Sequence, residues 1–187
     1  MSVFWVALGF AASLSYAEPI HFDGVDGPPA WAGRVNQSIR DSLAARGADL
    51  WPADSLTWLK DRNEWPGTER TPERVAALAK RTRRTTIAWA KVEAPVGTFD
   101  RPWWSVFWTR RIWTAQADIF VANAEGKARV THLALERKTQ LRFTGTNGPD
   151  LWPITEPEKA VAEFAILKDL SGQAAKLVSE TGTSAKP

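Results

Sequence analysis

The sequence predicts one small α/β domain with a mixed sheet, an antiparallel hairpin and helices packed on the sheet. Strand-like segments alternate with amphipathic helices in the first half of the chain. In the second half, two β-rich segments flank an Asn-Ala-Glu-Gly turn at residues 123–126. The composition, 44% hydrophobic and 24% charged residues, is typical of a globular chain that is long enough to bury a single core.

The first half of the domain is predicted to alternate short strands with helices. Residues 20–25 form the first strand, and the helix over residues 30–46 carries an apolar residue at every fourth position. Gly47 suits the end of that helix. Residues 48–51 then form a second strand, and residues 54–59 form a short helix. Because a helix joins these two early strands, we expect a right-handed crossover.

The middle of the chain holds the clearest helix start. Thr71-Pro72-Glu73 combines a hydroxyl cap, a proline at the first helical position and an acid in the first turn. The helix has a basic end, which consists of Lys80, Arg81, Arg83 and Arg84. Residues 85–93 follow as a strand rich in β-branched and aromatic side chains, and residues 94–102, which contain two prolines and a glycine, are predicted to be a loop.

The hairpin comes next. Residues 103–122 are predicted to form one long strand or a bent pair, and residues 128–139 to return antiparallel to it. A four-residue turn pairs Ile119 with Val130. In that register the two leucines of the second strand fall on the face opposite to the apolar row of the first strand, so we expect a bulge.

The last helix is predicted over residues 156–178, with Thr155 as its cap. Its predicted buried stripe consists of Ala160, Phe164, Leu167, Ala174 and Val178. The single domain is expected to span residues 18–179, and residues 180–187 to form a flexible tail.

The first 17 residues have the character of a signal peptide. Residues 3–12 are an apolar run of about ten residues, too short to span a membrane. Ser15 and Ala17 are small residues at the −3 and −1 positions of a cut before Glu18. No Lys or Arg precedes the run, so a buried N-terminal strand or helix is the alternative. The signal predicts an extracytoplasmic location, in the bacterial periplasm.

The residue types exclude several classes of site. With no cysteine there is no disulfide and no thiolate metal site, and a lipid anchor on cysteine is excluded. His21 and His132 are far apart in the sequence, and neither has an acid at a metal-like spacing. We therefore predict neither a zinc site nor a serine triad. The sequence contains no phosphate-binding loop and no dinucleotide fingerprint. We therefore predict no catalytic residue, metal or cofactor, and the net charge of +3 with an export signal disfavours nucleic acid.

One segment is unusually rich in tryptophan and arginine. Residues 101–113 contain four of the eleven tryptophans. One interpretation is that this segment is an inner strand covered on both faces. The other is that it is a surface for a protein or membrane partner, since Trp and Arg dominate interface hot spots. Its candidate residues are Arg101, Trp103, Trp104, Phe107, Trp108, Arg110 and Arg111. We predict that at least one of the aromatic side chains is substantially exposed beside an arginine.

A glycan is the alternative partner, because aromatic faces stack on sugar rings. Paired carboxylates can hydrolyse glycosides without a histidine. The candidates are Asp23, Asp26, Glu93 and Asp100. A small glycan-acting hydrolase or glycan-binding module is therefore kept beside the protein-binding hypothesis.

Three segments resemble the amino-terminal domain of TolB and its relatives, the curli-secretion lipoprotein CsgG and the penicillin-binding-protein activator LpoB. They are the helix ending at Gly47 before Ala48-Asp49-Leu50-Trp51, residues 74–93, and residues 117–130 with the step Glu125-Gly126-Lys127. The resemblance implies an accessory domain that binds another protein in envelope assembly, secretion or regulation. It implies no catalytic residue.

Overall fold

The structure is a computed structural model that describes residues 19–52, 71–82, 85–104, 106–145 and 152–183. The predicted signal peptide, the predicted short helix at residues 54–59, and Arg83 and Arg84 lie outside the described residues.

A mixed sheet with helices packed on it forms the domain, as the sequence predicts. The elements in chain order are β1 (Ile20–Asp26), α1 (Pro29–Ala45), α2 (Pro72–Thr82), β2 (Thr86–Val92), β3 (Val96–Asp100), β4 (Trp108–Ala122), β5 (Ala128–Lys138), β6 (Arg142–Phe143) and α3 (Glu156–Thr183). The sheet order is β1-β2-β4-β3, and β5 and β6 also pair with β4. Only the β1–β2 pair is parallel among these described strands.

Helices cover the two faces of the sheet unequally. The main core lies between one face and the helices α1 and α3, and it includes Phe22, Ile39, Trp113 and Ile166. On the other face, α2 covers a smaller cluster built on β2. Within the part of the chain that the structure describes, this second cluster reaches β4 only at its last residues. The β3–β6 end of that face is therefore left open by α2.

Several local predictions are confirmed. Thr71 caps α2, since the Arg74 N–H donates a hydrogen bond to Thr71 Oγ1 over 3.3 Å. Gly47 follows α1 with a φ of +72°, a conformation that favours glycine, and its N–H donates to the Ala44 carbonyl over 2.9 Å. The predicted strand at residues 48–51 is shorter than expected, because only Leu50 forms a bridge, parallel to β1.

The prediction of a loop at residues 94–102 is wrong for residues 96–100. These residues form β3, which pairs antiparallel with β4. Gly97 permits this pairing because it lies opposite Trp113, and a Cβ atom at Gly97 would come within 3.2 Å of the indole ring. The long strand predicted from residue 103 begins instead at Trp108. Since Asp100 pairs with Arg110, the chain has to turn between these two residues.

The hairpin register differs from the prediction by one residue, because Ile119 pairs with Thr131 rather than Val130. The turn spans five residues, since the Lys127 N–H donates to the Asn123 side-chain oxygen over 2.9 Å. The shift turns both leucines of β5 toward the core, and no bulge is needed within the β4–β5 pairing. These leucines are Leu133 and Leu135.

The buried stripe of α3 is only partly as predicted. Ala174 and Val178 are buried and Leu167 is half-buried, whereas Ala160 and Phe164 are exposed. The residues that face the core are Ala162, Ile166, Leu170, Ala174, Ala175 and Val178. Five of these follow a strict four-residue spacing, which aligns one ridge of the helix with its neighbours. The helix also continues to Thr183, into the predicted tail.

Candidate functional site

The connection between β3 and β4 carries a group of exposed aromatic side chains. The exposed fraction is 96% for Trp103, 58% for Trp104, 46% for Phe107 and 42% for Trp108. The prediction that at least one aromatic residue of this segment is substantially exposed is therefore confirmed. The alternative of an inner strand covered on both faces is wrong for the described residues 103, 104 and 106–108, because all of them are exposed.

Phe143 belongs to the same surface, although the sequence did not reveal it. Phe143 lies in the short strand β6 and pairs with Trp108 of β4. The centroids of the two rings lie 5.8 Å apart. Its ring also stacks on Phe107 with a centroid separation of 6.2 Å. Extending the β4–β5 pairing along the chain would have brought Phe143 near Trp108. We call these five side chains the aromatic surface: Trp103, Trp104, Phe107, Trp108 and Phe143.

Two threonines fix the base of the aromatic surface. The hydroxyls of Thr109 and Thr144 lie 2.7 Å apart and are buried. The Thr144 N–H donates a hydrogen bond to the Phe107 carbonyl over 2.8 Å. These contacts connect the chain at β6 to the start of β4. Hydrogen bonds therefore hold the backbone that carries the aromatic side chains on both strands.

The three arginines near this surface occupy different environments. Arg101 is exposed at the start of the connection. Arg110 is partly buried, and its Nε donates to Asp100 across the β3–β4 pair. The charge of Asp100 is therefore balanced, and Arg101 provides the exposed positive charge of the connection.

Arg111 does not lie on the surface, and the prediction that it does is wrong. Its side chain is fully buried, 2.8 Å from Glu158 and 2.7 Å from the Trp152 carbonyl to which it donates. The guanidinium also lies 4.6 Å from the ring centroid of Phe99. The alternation along β4 explains this position, since Thr109, Arg111 and the following odd-numbered residues face the core. Arg111 thus holds the start of α3 to the sheet.

The carboxylates considered for glycoside hydrolysis are spread over different strands. Asp100 pairs with Arg110 at the end of β3, and Glu93 is exposed after the end of β2. Asp23 lies in β1, 3.7 Å from the buried His21, and Asp26 ends the same strand.

Two further titratable groups lie in the β4–β5 hairpin. His132 is an exposed β5 residue whose Nδ1 lies 2.8 Å from an Asp118 oxygen. In the β4–β5 turn, a hydrogen bond to Glu125 and its negative charge raise the pKa of Lys127. Within the described ranges, no group of three or more His, Cys, Asp or Glu side chains is arranged to hold a metal ion.

Comparisons with known proteins give likenesses at the level of structure. No protein-family model and no curated protein matches the chain. A minor lipoprotein from Acinetobacter baumannii is 11% identical with a TM-score of 0.48, and the match covers 88% of this chain and 94% of that chain. The hypothetical protein CT253 from Chlamydia trachomatis is 10% identical with a TM-score of 0.49, covering 88% and 97%. Lipoprotein GNA1162 from Neisseria meningitidis is 11% identical with a TM-score of 0.42, covering 82% and 96%.

Two of these three similar proteins are named as bacterial lipoproteins. The resemblance to TolB, CsgG and LpoB stays a prediction. Among the described residues, no helix has the length and apolar character needed to cross a membrane.

Proposed function

We propose that this chain is an exported accessory domain that binds another protein of the bacterial cell envelope through the aromatic surface. The observation that carries the proposal is the exposure of Trp103, which is 96% exposed in the connection between β3 and β4. An isolated exposed tryptophan needs no explanation, but a group of large aromatic side chains rarely stays uncovered on a soluble domain. A partner that covers them removes apolar area from water.

The size of the aromatic surface suits a protein interface. A buried aromatic side chain removes about 150–250 Å² from water, so covering the exposed parts of five rings buries an area on the order of 500 Å². A standard interface buries roughly 800 Å² on each partner, and this surface supplies more than half of that. Trp and Arg are also the residue types that dominate hot spots.

The charges around the surface indicate the chemistry of the partner. Residues 101–113 contain no acid, Asp100 is paired with Arg110, and Arg101 is exposed. We therefore expect the partner to present an apolar patch with a carboxylate at its rim, opposite Arg101.

Site-specific photo-cross-linking tests this proposal. Benzoylphenylalanine at position 104 in the native host is expected to form a discrete adduct with one envelope protein. The matched control carries the same group at Arg129, an exposed residue of β5 away from the surface. The proposal requires that the adduct at position 104 disappears when Trp103→Ala is added, and that the purified partner binds the purified domain. Equal adducts at positions 104 and 129 would contradict it.

Export is the second part of the proposal and rests on the apolar run at residues 3–12 and the small residues Ser15 and Ala17. Amino-terminal sequencing of protein from the periplasm is expected to begin near Glu18. A chain that keeps Met1 and fractionates with the cytoplasm would contradict this part alone.

A glycan is the second candidate partner, since the exposed ring of Trp103 is free to stack on a sugar. A panel of cell-wall polysaccharides distinguishes the two candidates. Turnover that is lost in Asp100→Ala or Glu93→Ala would replace the protein-binding proposal with a hydrolase.

A further inference from the structure

A cavity of about 670 Å³ lies between the end of β5, β6 and the first turns of α3. This volume is in the range of small-molecule sites. One wall is the side of α3, where Val161, Ala162 and Ala165 face the cavity. Trp113 and Trp152 form the aromatic part of the lining. The cavity is thus mostly apolar, and its α3 wall offers aliphatic side chains.

Three cationic side chains also line the cavity. Arg137 and Lys138 form exposed ion pairs with Asp169 at 3.2 Å and Glu136 at 2.7 Å, and such surface pairs are easily exchanged for another anion. Arg142 lies over the Trp152 ring, 4.6 Å from its centroid. Among the residues that the structure describes, no carboxylate forms an ion pair with Arg142.

The acid in the lining does not cancel this positive charge. Glu158 faces the cavity, but its carboxylate lies 2.8 Å from the buried guanidinium of Arg111. Since the Arg111 charge has no contact with water, Glu158 is needed to balance it. Among the described residues that line the cavity, cations therefore outnumber acids.

Trp113 belongs both to the main core and to the lining of the cavity. Its ring is 2% exposed and lines the cavity, and the benzo edge packs against Gly97. The indole Nε1, on the pyrrole part of the ring, is buried without a hydrogen-bond acceptor among the described residues. The ring therefore contributes apolar surface to the cavity lining.

We propose that this cavity binds a single-chain anionic amphiphile, a fatty-acid carboxylate, with its head group at Arg142 and Lys138 and its alkyl chain along α3. A carboxylate supplies a negative charge that balances the cations of the lining, and an alkyl chain matches the aliphatic wall. A peptide suits the cavity less well, because its backbone N–H and C=O groups would face Val161 and Ala162 without partners. This proposal is independent of the function proposed for the aromatic surface.

Calorimetric titration with three amphiphiles of equal chain length, each below its micelle-forming concentration, tests the ligand class. Dodecanoate is expected to bind saturably at one site. Dodecanol, which lacks the charge, should bind at least about tenfold more weakly, and dodecyltrimethylammonium should not compete. No saturable binding of dodecanoate, or equal binding of the cation, would overturn the proposal.

Two pairs of variants test whether the fatty acid binds in this cavity. Val161→Trp fills the cavity from an exposed helix position and is expected to weaken dodecanoate binding at least about tenfold, whereas Ala160→Trp, one residue away, should leave it unchanged. Arg142→Gln should weaken binding about fivefold or more, whereas Arg129→Gln removes the same net charge outside the cavity and should not. Thermal unfolding confirms that each variant is folded. Equal effects within either pair would show that the fatty acid binds elsewhere.

The indole N–H signals in ¹⁵N-tryptophan NMR spectra give a readout that does not depend on variants of the wall. Dodecanoate is expected to shift the Trp113 and Trp152 signals and to leave Trp103 and Trp104 unchanged. The reverse pattern would mean that the amphiphile adsorbs on the aromatic surface, and the cavity proposal would then be wrong.

Discussion

The two ends of β4 carry similar residues in different surroundings. At residues 117–122 the strand is paired on both edges, and Phe120 stacks on Trp89 beneath α2 with a centroid separation of 4.4 Å. At its first residues, Trp108 packs on Phe143 and remains 42% exposed. The comparison teaches that alternation along a strand decides which face a side chain takes, whereas a covering helix decides whether that face is core or surface.

The largest expected difference between the two ends is in stability. Trp89→Ala removes a ring that is 3% exposed, so it should lower the free energy of unfolding by about 3–5 kcal/mol. Trp108→Ala at the open end should cost about 1 kcal/mol or less, because the ring is already partly in water. Urea unfolding of the two variants measures both values. Similar losses would mean that the open end is also core.

Neighbouring arginines of β4 provide the second contrast. Arg111→Met leaves Glu158 without its buried partner and is expected to cost about 3–5 kcal/mol. Arg110→Met removes a partly exposed pair with Asp100 and should cost about 1 kcal/mol or less. Chemical denaturation is the measurement, and equal losses would argue against the burial of Arg111.

Much of the fold follows from local sequence signals. The cap at Thr71, the apolar period of α1 and the β-branched run of β2 depend on neighbours in the chain, and all three are confirmed. The strand β3 was missed because its pairing with β4 relies on a glycine opposite a distant tryptophan. The hairpin register was wrong because one side-chain hydrogen bond of Asn123 lengthens the turn.

In the candidate site, too, local sequence signals identify some residues, whereas others depend on contacts that are distant in sequence. Residues 101–113 could be recognised from their composition, since four tryptophans in one segment are an oddity in any context. Phe143 escaped notice because a two-residue strand has no periodicity of its own. Arg111 was assigned to the surface because a charged side chain is seldom buried, and the acid that permits its burial, Glu158, is distant in sequence.

Two glycines with positive φ extend the comparison to smaller effects. Gly126 has a φ of +81°, and a Cβ atom there would come within 3.3 Å of Lys80 in α2, so Gly126→Ala should cost about 1–2 kcal/mol. Gly145 has a φ of +62° next to β6, but a Cβ atom there meets nothing within 4 Å. The backbone strain still applies there but the steric contact does not, so Gly145→Ala should cost about 1 kcal/mol in thermal unfolding. A larger loss at Gly145 would indicate that the open end is packed.

The smallest effect on stability is expected for the double variant Trp103→Ala, Trp104→Ala, and this variant tests the central claim most directly. Its free energy of unfolding should stay within about 0.5 kcal/mol of the parent, since both side chains are mostly in water. Its affinity for the cross-linked partner, measured by calorimetry, should fall by at least about 2 kcal/mol, roughly thirtyfold. A variant that unfolds like the parent and binds the partner with unchanged affinity would contradict the account.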